Sequence, residues 1–408
     1  MVRHQLCSQG VAVLSGLKIL AVEQYGAGPF ATQFLADMGA EVIKIENPAD
    51  GGDMARSVGP QFRADLPQTA QSIFYQGLNR GKKSLTLNLN HAEGRAVFRR
   101  LAASADAVTS NMRGDVPARL GLTYADLADV NPRIVCAHLT AYGREGERAT
   151  WPGYDYLMQA EAGYFSVTGE PGSAPARAGL SLIDFMTGAV CSMGLLAGLL
   201  EARASGRGRD VDVSLFDLAL YNLNYLGHWY LNDGSVTGRL PRSAHASLTP
   251  CQSYRTRDGW IFVMCNKEKF WGVLCNRIGR PQWKDDPRFA SFPARLAHRD
   301  LLTELLDEAL MARGTEEWLA DFAGRVPAAP IFDIRQALDN PWVTEGGRIA
   351  AIPLPSGESL RMLAPPVRYT GRVAGGRAPT LGEHSAAVLA AAGVAPEEIE
   401  RLRAMGVV

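Results

Sequence analysis

Short apolar runs alternate with amphipathic stretches through the first 140 residues. LKILAV, EVIKIE, SLTLNL, DAVTSN and RIVCAHL read as strands. FATQFLADMG and GRAVFRRLAASA, apolar at helical spacing, read as the helices between them. Alternation of this kind predicts an α/β fold, a parallel sheet with helices on its faces and right-handed crossovers. Further on, TGAVCSMGLLAGLLEARASG predicts a long helix that stops at the glycines of SGRG. A strand, DVDVSL, and another helix, FDLALYNLNYLGHWYLN, follow it.

Near 231–250 the chain turns to Gly, Ser, Pro and Arg, which marks a linker. Beyond it, WIFVMC predicts a strand, and EKFWGVLCNRIG, RDLLTELLDEALM and TEEWLADFAGRV predict helices, a smaller α+β unit ending near 335. The tail closes with helices EHSAAVLAAAG and PEEIERLRAMG, placed to pack back on the first domain.

Of 408 residues, 47% are hydrophobic and 21% charged, with formal net charge zero. That composition fits a soluble globular protein with ample core and argues against bulk attraction to nucleic acid or anionic membrane. The longest apolar run, GAVCSMGLLAGLL, is shorter than the roughly 18 residues a membrane span needs. MVRHQLCSQGVAVLSGLKIL is too polar for a signal peptide. Six cysteines (7, 136, 191, 251, 265 and 275) form no CxxC pair, which suggests reduced thiols and a cytoplasmic location. The seven histidines form no HxH or HExxH cluster, so no catalytic metal is expected.

Several short segments carry chemistry. Gly26-Ala27-Gly28-Pro29-Phe30-Ala31 fits GxGxxA, with Glu46 about 20 residues later to hold a ribose; the plain alternative is a strand-to-helix turn with Pro29 at the first helical position. Asn79-Arg80-Gly81-Lys82-Lys83-Ser84 is a basic turn able to grip phosphates, or simply a solvated one. Ser110-Asn111-Met112-Arg113-Gly114-Asp115 follows a strand, where α/β sheets present ligands, and Arg119 comes shortly after. Tyr154 and Asp155 could wall a pocket or belong to core and turn. Asp184 stands at the start of the long helix. It reads as a cap whose position at the positive end of the dipole favours the ionised form. Leu182, Ile183, Phe185 and Met186 would leave that carboxylate underhydrated, which suits a nucleophile toward an acyl carbon.

Taken in order, LSGLKILAVEQYGAGPFATQFLADMGAEVIKIENP, GGDMAR, LNRGKKSLTLNL, SNMRGDVPARLGL, NPRIVCAHLTAYG, GYDYLMQAEAGYFSVTGEPGSAPARAGLSLIDFMTG, GRGRDVDVSLFD and APTLGEHS resemble the family III CoA-transferases. That family includes formyl-CoA:oxalate and carnitine CoA-transferases, with α-methylacyl-CoA racemase as a relative. The resemblance implies coenzyme A as carrier and no metal. It puts Gly26 and Ala27 beside bound CoA, Asn111 and Arg119 at positions that contact it, Lys82 and Lys83 in a motif near it, and Asp184 on the catalytic aspartate. It also implies a Rossmann-like large domain built from both chain ends (1–205 and 351–408), linkers at 206–240 and 336–350, an inserted α+β domain at 241–335, and an interlocked homodimer. Where racemases carry a histidine before the acid, this chain reads Gly153-Tyr154-Asp155, which favours transferase over racemase. The glycine-run loop of the oxalate enzyme is replaced by SAHASLTPCQSY, whose His245 is a candidate substrate contact. Succinyl-CoA as donor and a small dicarboxylate as acceptor follow from family breadth. The alternatives are a racemase or epimerase, and a non-catalytic CoA-binding subunit of a heteromer.

Overall fold

The computed structural model describes residues 12–369 and 375–408; Cys7 and the first eleven residues, read above for a leader, lie outside them. Strand β1 (Lys18–Val22) leads through a tight turn into helix α1 (Ala27–Asp37), and β2 (Glu41–Glu46) returns beside β1. α2 (Ile73–Asn79) precedes β3 (Lys83–Thr86), and α3 (Ala92–Ala102) precedes β4 (Ala107–Ser110). α4 (Val116–Leu120) and α5 (Tyr124–Leu127) precede β5 (Val135–Thr140). After α6 (Asp155–Glu161) and α7 (Tyr164–Val167) come the 24-residue α8 (Leu182–Ser205), β6 (Arg209–Ser214) and α9 (Leu215–Tyr221).

The six strands pair in parallel in the order β3-β2-β1-β4-β5-β6. This is the doubly wound order, with β1 and β4 adjacent where the winding reverses, and sheets of this kind bind ligands past the carboxyl ends of those strands. Leu20, Val22, Ile43, Ile45, Leu85 and Val108 from the strands form one core with Val97, Phe98 and Leu101 of α3.

α8 crosses α1 at a glycine: a Cβ on Gly188 would stand 2.6 Å from the Ala27 carbonyl oxygen and 3.1 Å from the Ala31 nitrogen. One turn on, the Ser192 hydroxyl donates to the Ala31 carbonyl at 2.8 Å. By length and composition alone α8 could cross a bilayer, although half of its most apolar window is buried within the protein. Its outward side carries Met186, Met193 and Leu200 at seven-residue spacing, all exposed.

The chain divides into two compact units. The first holds the described chain up to Ala162, Leu180–Asn224 and the described residues from Glu345 onward; the second holds Gly163–Gly179 and Tyr225–Thr344. In the second unit lie α10 (Asn224–Asp233), β7 (Cys251–Thr256), β8 (Gly259–Met264), α11 (Glu268–Arg277), α12 (Phe292–Ala297), α13 (Arg299–Leu310), α14 (Thr315–Phe322), β9 (Ala328–Pro330), α15 (Ile334–Asp339) and α16 (Pro341–Thr344). Its sheet is antiparallel, β7-β8-β9, over a core that includes Tyr254, Trp271, Phe289, Trp318 and Phe322. The wholly buried Arg295 guanidinium donates to the carbonyls of Thr249 (2.9 Å) and Phe289 (2.8 Å) and pairs with Glu268 at 2.9 Å.

Three expectations change here. The stretch 206–240, expected as a linker, carries β6, α9 and α10, because the alternating valines of DVDVSL pair β6 with β5 along all six residues. The helix expected through FDLALYNLNYLGHWYLN breaks into α9 and α10, with Asn224 left-handed at φ 44°. The second expected linker, 336–350, likewise carries α15 residues, α16 and the start of a strand.

The tail adds an antiparallel hairpin, β10 (Ile349–Pro353) with β11 (Ser359–Leu363), then α17 (Ser385–Ala391) and α18 (Pro396–Ala404). Val388, Leu389, Ile399, Leu402 and Val407 enter the first unit's main core. Backbone bonds secure this return: Asn88 donates to the Val407 carbonyl at 2.8 Å, and Ala378 donates to the Gln76 carboxamide at 2.8 Å.

Candidate active site

The turn after β1 is held in an uncommon shape. Tyr25 is left-handed at φ 68°, a conformation a non-glycine residue keeps only when its surroundings enforce it. Its amide donates to Asp53 Oδ1 at 2.9 Å, and its ring lies 5.2 Å from that of Phe74. Just before it, Gln24 is clamped on both backbone groups by Asn111 from the end of β4: Asn111 Oδ1 accepts its amide and Asn111 Nδ2 donates to its carbonyl, both at 2.8 Å.

Two glycines make that geometry possible. A Cβ on Gly28 would collide with Asn111 Cγ at 2.7 Å, and a Cβ on Gly26 would stand 2.7 Å from Asp184 Oδ2. The GxGxxA pattern therefore seats a carboxamide and a carboxylate, one at each glycine. Among the described residues, the first-turn amides of Ala27 and Gly28 have no hydrogen-bond acceptor. Helix N-termini carry partial positive charge and receive anions.

Asp184 lies in the first turn of α8 and Ser181 holds the N-cap position without a side-chain cap hydrogen bond, so Asp184 is not the expected cap. Its own amide donates to Asp155 Oδ2 at 2.9 Å, while the other Asp155 oxygen accepts Gln159 Nε2 at 2.5 Å. Asp184 is 9% exposed, and its carboxylate accepts no hydrogen bond among the described residues. Burial, and then the nearby Asp155 charge, push its pKa up to about 7. The expectation that Asp184 is held in the ionised form is thus corrected: removal from water and the second carboxylate both favour the neutral form. Phe30 and Phe185, with ring centroids 4.6 Å apart, add apolar surface beside it.

Beneath the turn runs a buried ionic network. Lys82 Nζ donates to Glu23 Oε1 (2.8 Å), the Pro29 carbonyl (2.9 Å) and Asn79 Oδ1 (3.1 Å). Lys44 pairs with Asp53 at 2.8 Å, and Arg56 pairs with Glu46 at 2.7 Å. Lys82 is accordingly a support for the α1 turn, its three donors used inside the protein, and its phosphate-gripping reading is corrected. Lys83 opens β3 and pairs with Glu41 at the start of β2, the end of the sheet away from the site. Glu46 accepts from Arg56, Ser84 and the Asp53 amide, which leaves no ribose-binding role. These charges had one visible signal in sequence: Lys44 interrupts EVIKIE, a central parallel strand that should be uniformly apolar.

The site thus brings together Gly26, Ala27, Asn111, Asp155 and Asp184. Arg119 is exposed on α4 and makes no ion pair among the described residues. Tyr154, at the N-cap of α6, is 61% exposed. His245 belongs to the second unit. Its Nδ1 accepts the Ser247 amide at 3.1 Å, its ring stacks on Tyr225 at 5.5 Å, and burial followed by the Arg299 charge lowers its pKa. Sequence reading missed Gln24, Tyr25, Gln159 and Gly188, whose roles depend on contacts between distant segments.

A doubly wound parallel sheet with a buried, unpaired carboxylate facing a helix N-terminus at its switch point defines a ligand-handling α/β protein. The chain belongs to CoA-transferase family III, whose sequence profile matches residues 14–385. It is 33% identical to an acyl-CoA transferase of Fusarium pseudograminearum, over 99% of this chain and 90% of that one. It is 34% identical to a succinate–glutarate CoA-transferase of Agrobacterium fabrum, over 92% and 95%. The crystal structure of a CaiB/BaiF family protein from Brucella suis, 32% identical, superposes with a TM-score of 0.79 over 93% of this chain and 99% of that one.

Proposed function

We propose that this protein moves CoA from an acyl-CoA donor to a free dicarboxylic acid, with Asp184 as the covalent carrier. Family membership and the succinate–glutarate relative support the reaction class. The observation that carries the mechanism is the Asp184 carboxylate itself, buried, without a hydrogen-bond donor among the described residues, and set against Gly26 at the start of α1. A carboxylate stripped of water is a strong nucleophile once ionised.

Asp184 attacks the donor thioester carbonyl, and the C–S bond breaks to give a mixed anhydride and CoA thiolate. The thiolate attacks the aspartyl carbonyl, releases the donor acid and leaves an aspartyl-CoA thioester. The acceptor carboxylate attacks that thioester, freeing the thiolate and forming a second anhydride. The thiolate then takes the acceptor acyl group and restores Asp184. Each tetrahedral oxyanion is stabilised by amide donors, for which the free Ala27 and Gly28 N–H groups are suited. Phe30 and Phe185 help to keep water from the anhydrides. Succinyl-CoA is the proposed donor and a C4–C5 dicarboxylate the proposed acceptor.

The working form is proposed to be a homodimer in the cytoplasm. The exposed apolar side of α8, Met186, Met193 and Leu200, is the kind of surface that a second subunit covers. Light scattering that returns a monomer at micromolar concentration would reject that part.

The test is a mass-spectrometric assay of succinyl-CoA with glutarate. New glutaryl-CoA is expected, with hydroxylamine trapping a modified Asp184 during turnover. Asp184→Ala should lose at least about a thousandfold in kcat. A folded Asp184→Ala protein that retains its rate removes the mechanism. Exchange of an α-proton of a 2-methylacyl-CoA without any acceptor acid would instead mark a racemase.

A further inference from the structure

Ser110 and His138, both buried, and the partly exposed Asp210 form a chain beneath the candidate site. Ser110 Oγ lies 2.9 Å from His138 Nδ1, and His138 Nε2 lies 3.1 Å from Asp210 Oδ1. The three residues sit on neighbouring parallel strands, β4, β5 and β6, with Ser110 and His138 directly paired in register. Asp210 is anchored in turn: Oδ1 accepts the Tyr124 amide at 2.7 Å, and Oδ2 pairs with Arg144 at 3.0 Å. An acid so engaged acts as acceptor. The tautomer with hydrogen on Nε2 then donates to Asp210 and leaves Nδ1 to accept the Ser110 hydroxyl.

An acid, an imidazole and a hydroxyl in this sequence match the order of a hydrolase triad. Here the hydroxyl cannot attack a substrate, because Ser110 is 2% exposed and His138 is 0% exposed. What the chain reaches is the next residue: Asn111, which clamps both backbone groups of Gln24, two residues before the Gly26 that Asp184 faces.

We propose that His138 is a positioning residue for the transferase reaction, fixing Ser110 and through it the Asn111 clamp that shapes the turn opposite Asp184. The inference rests on the transferase reading above. Its energetic logic is that a displacement of about 1 Å at a reacting centre costs up to about a hundredfold in rate, an effect read in kcat on protein that is still fully folded.

The experiment uses the full chain and the succinyl-CoA and glutarate assay, with melting temperature and circular dichroism measured on every variant. Ser110→Ala and His138→Gln both break the hydroxyl–imidazole link; His138→Asn keeps an acceptor where Nδ1 stands and gives up Asp210. We expect the first two to lower kcat about tenfold or more, with KM for glutarate unchanged at temperatures where each is fully folded. His138→Asn should recover most of that loss. The Ser110→Ala/His138→Gln double variant should be no slower than either single variant, since one link is broken in all three. Folded single variants with wild-type kcat, or losses that multiply in the double variant, overturn the inference while leaving the transferase reading intact. A wild-type chain that transfers CoA to no dicarboxylate overturns both. If His138→Gln does not fold, Ser110→Ala alone decides: a normal kcat rejects the relay.

Discussion

At Asp184 one number governs both rate and stability. With its pKa pushed up to about 7, Asp184 is protonated in about half of the molecules at neutral pH, and in the proposed mechanism only the ionised form attacks a thioester. The rate of the first half-reaction should therefore rise with pH through about 7 and level off above it, as read from single-turnover release of the donor acid, succinate. Asp155→Asn keeps an acceptor for the Asp184 amide and removes the repelling charge, so the acid limb of that profile should move to lower pH. The stability effect has the opposite sense. An unfolded aspartate has a pKa near 3.8, so between about 4 and 7 the unfolded chain gives up a proton that the folded chain keeps, and folding weakens as pH rises. Asp184→Asn is expected to lose transfer and yet to melt higher than the wild type at pH 8, by an equivalent of at most about 4 kcal/mol, with no such gain near pH 4. A loss of melting temperature at pH 8 contradicts the buried, costly carboxylate. Sequence located this residue through its family resemblance and its apolar neighbours. The raised pKa was hidden because Asp155 lies 29 positions away and meets Asp184 only when α6 and α8 pack together.

Between α1 and α8, two glycines separate function from stability in a testable way. Gly188 approaches backbone, the Ala27 carbonyl, which cannot move without displacing the helix. Gly188→Ala should cost about 1–3 kcal/mol in chemical denaturation. Gly26 approaches only the end of a side chain, Asp184 Oδ2. Gly26→Ala should leave the melting temperature within a few degrees and lower kcat about a hundredfold by turning the carboxylate aside. If Gly26→Ala keeps its activity, Asp184 does not work from the position described. The strands and helices of the parallel sheet were legible because period and length differ between apolar runs and amphipathic stretches. GxGxxA was visible too, but its meaning was not. The same pattern admits a phosphate, a carboxamide or a carboxylate, and only the approach of Asn111 and Asp184 decides.

Across the molecule, the order of segments along the chain differs from their order in the units. The first unit's core draws on β1 at one extreme and on Leu389, Leu402 and Val407 at the other, and it brackets a second unit with a separate core. The return of the tail was readable from two amphipathic helices left over once the sheet was complete. The membership of 163–179 in the second unit was not, because the Arg239 guanidinium that donates to the Phe165 carbonyl at 2.9 Å is 74 positions away. Removing residues 375–408 should uncover the core beside β3 and free the Asn88 amide. The shortened chain is expected to lose cooperative unfolding of the first unit by calorimetry while a transition from the second remains. The same arrangement sets a schedule for synthesis. On the ribosome the second unit has every residue of its core in hand by about position 344, whereas the first unit waits for the last helices to emerge. A nascent chain stalled before them holds a finished small unit beside a sheet still lacking its closing layer, which makes that interval the one in which a chaperone has most to shield.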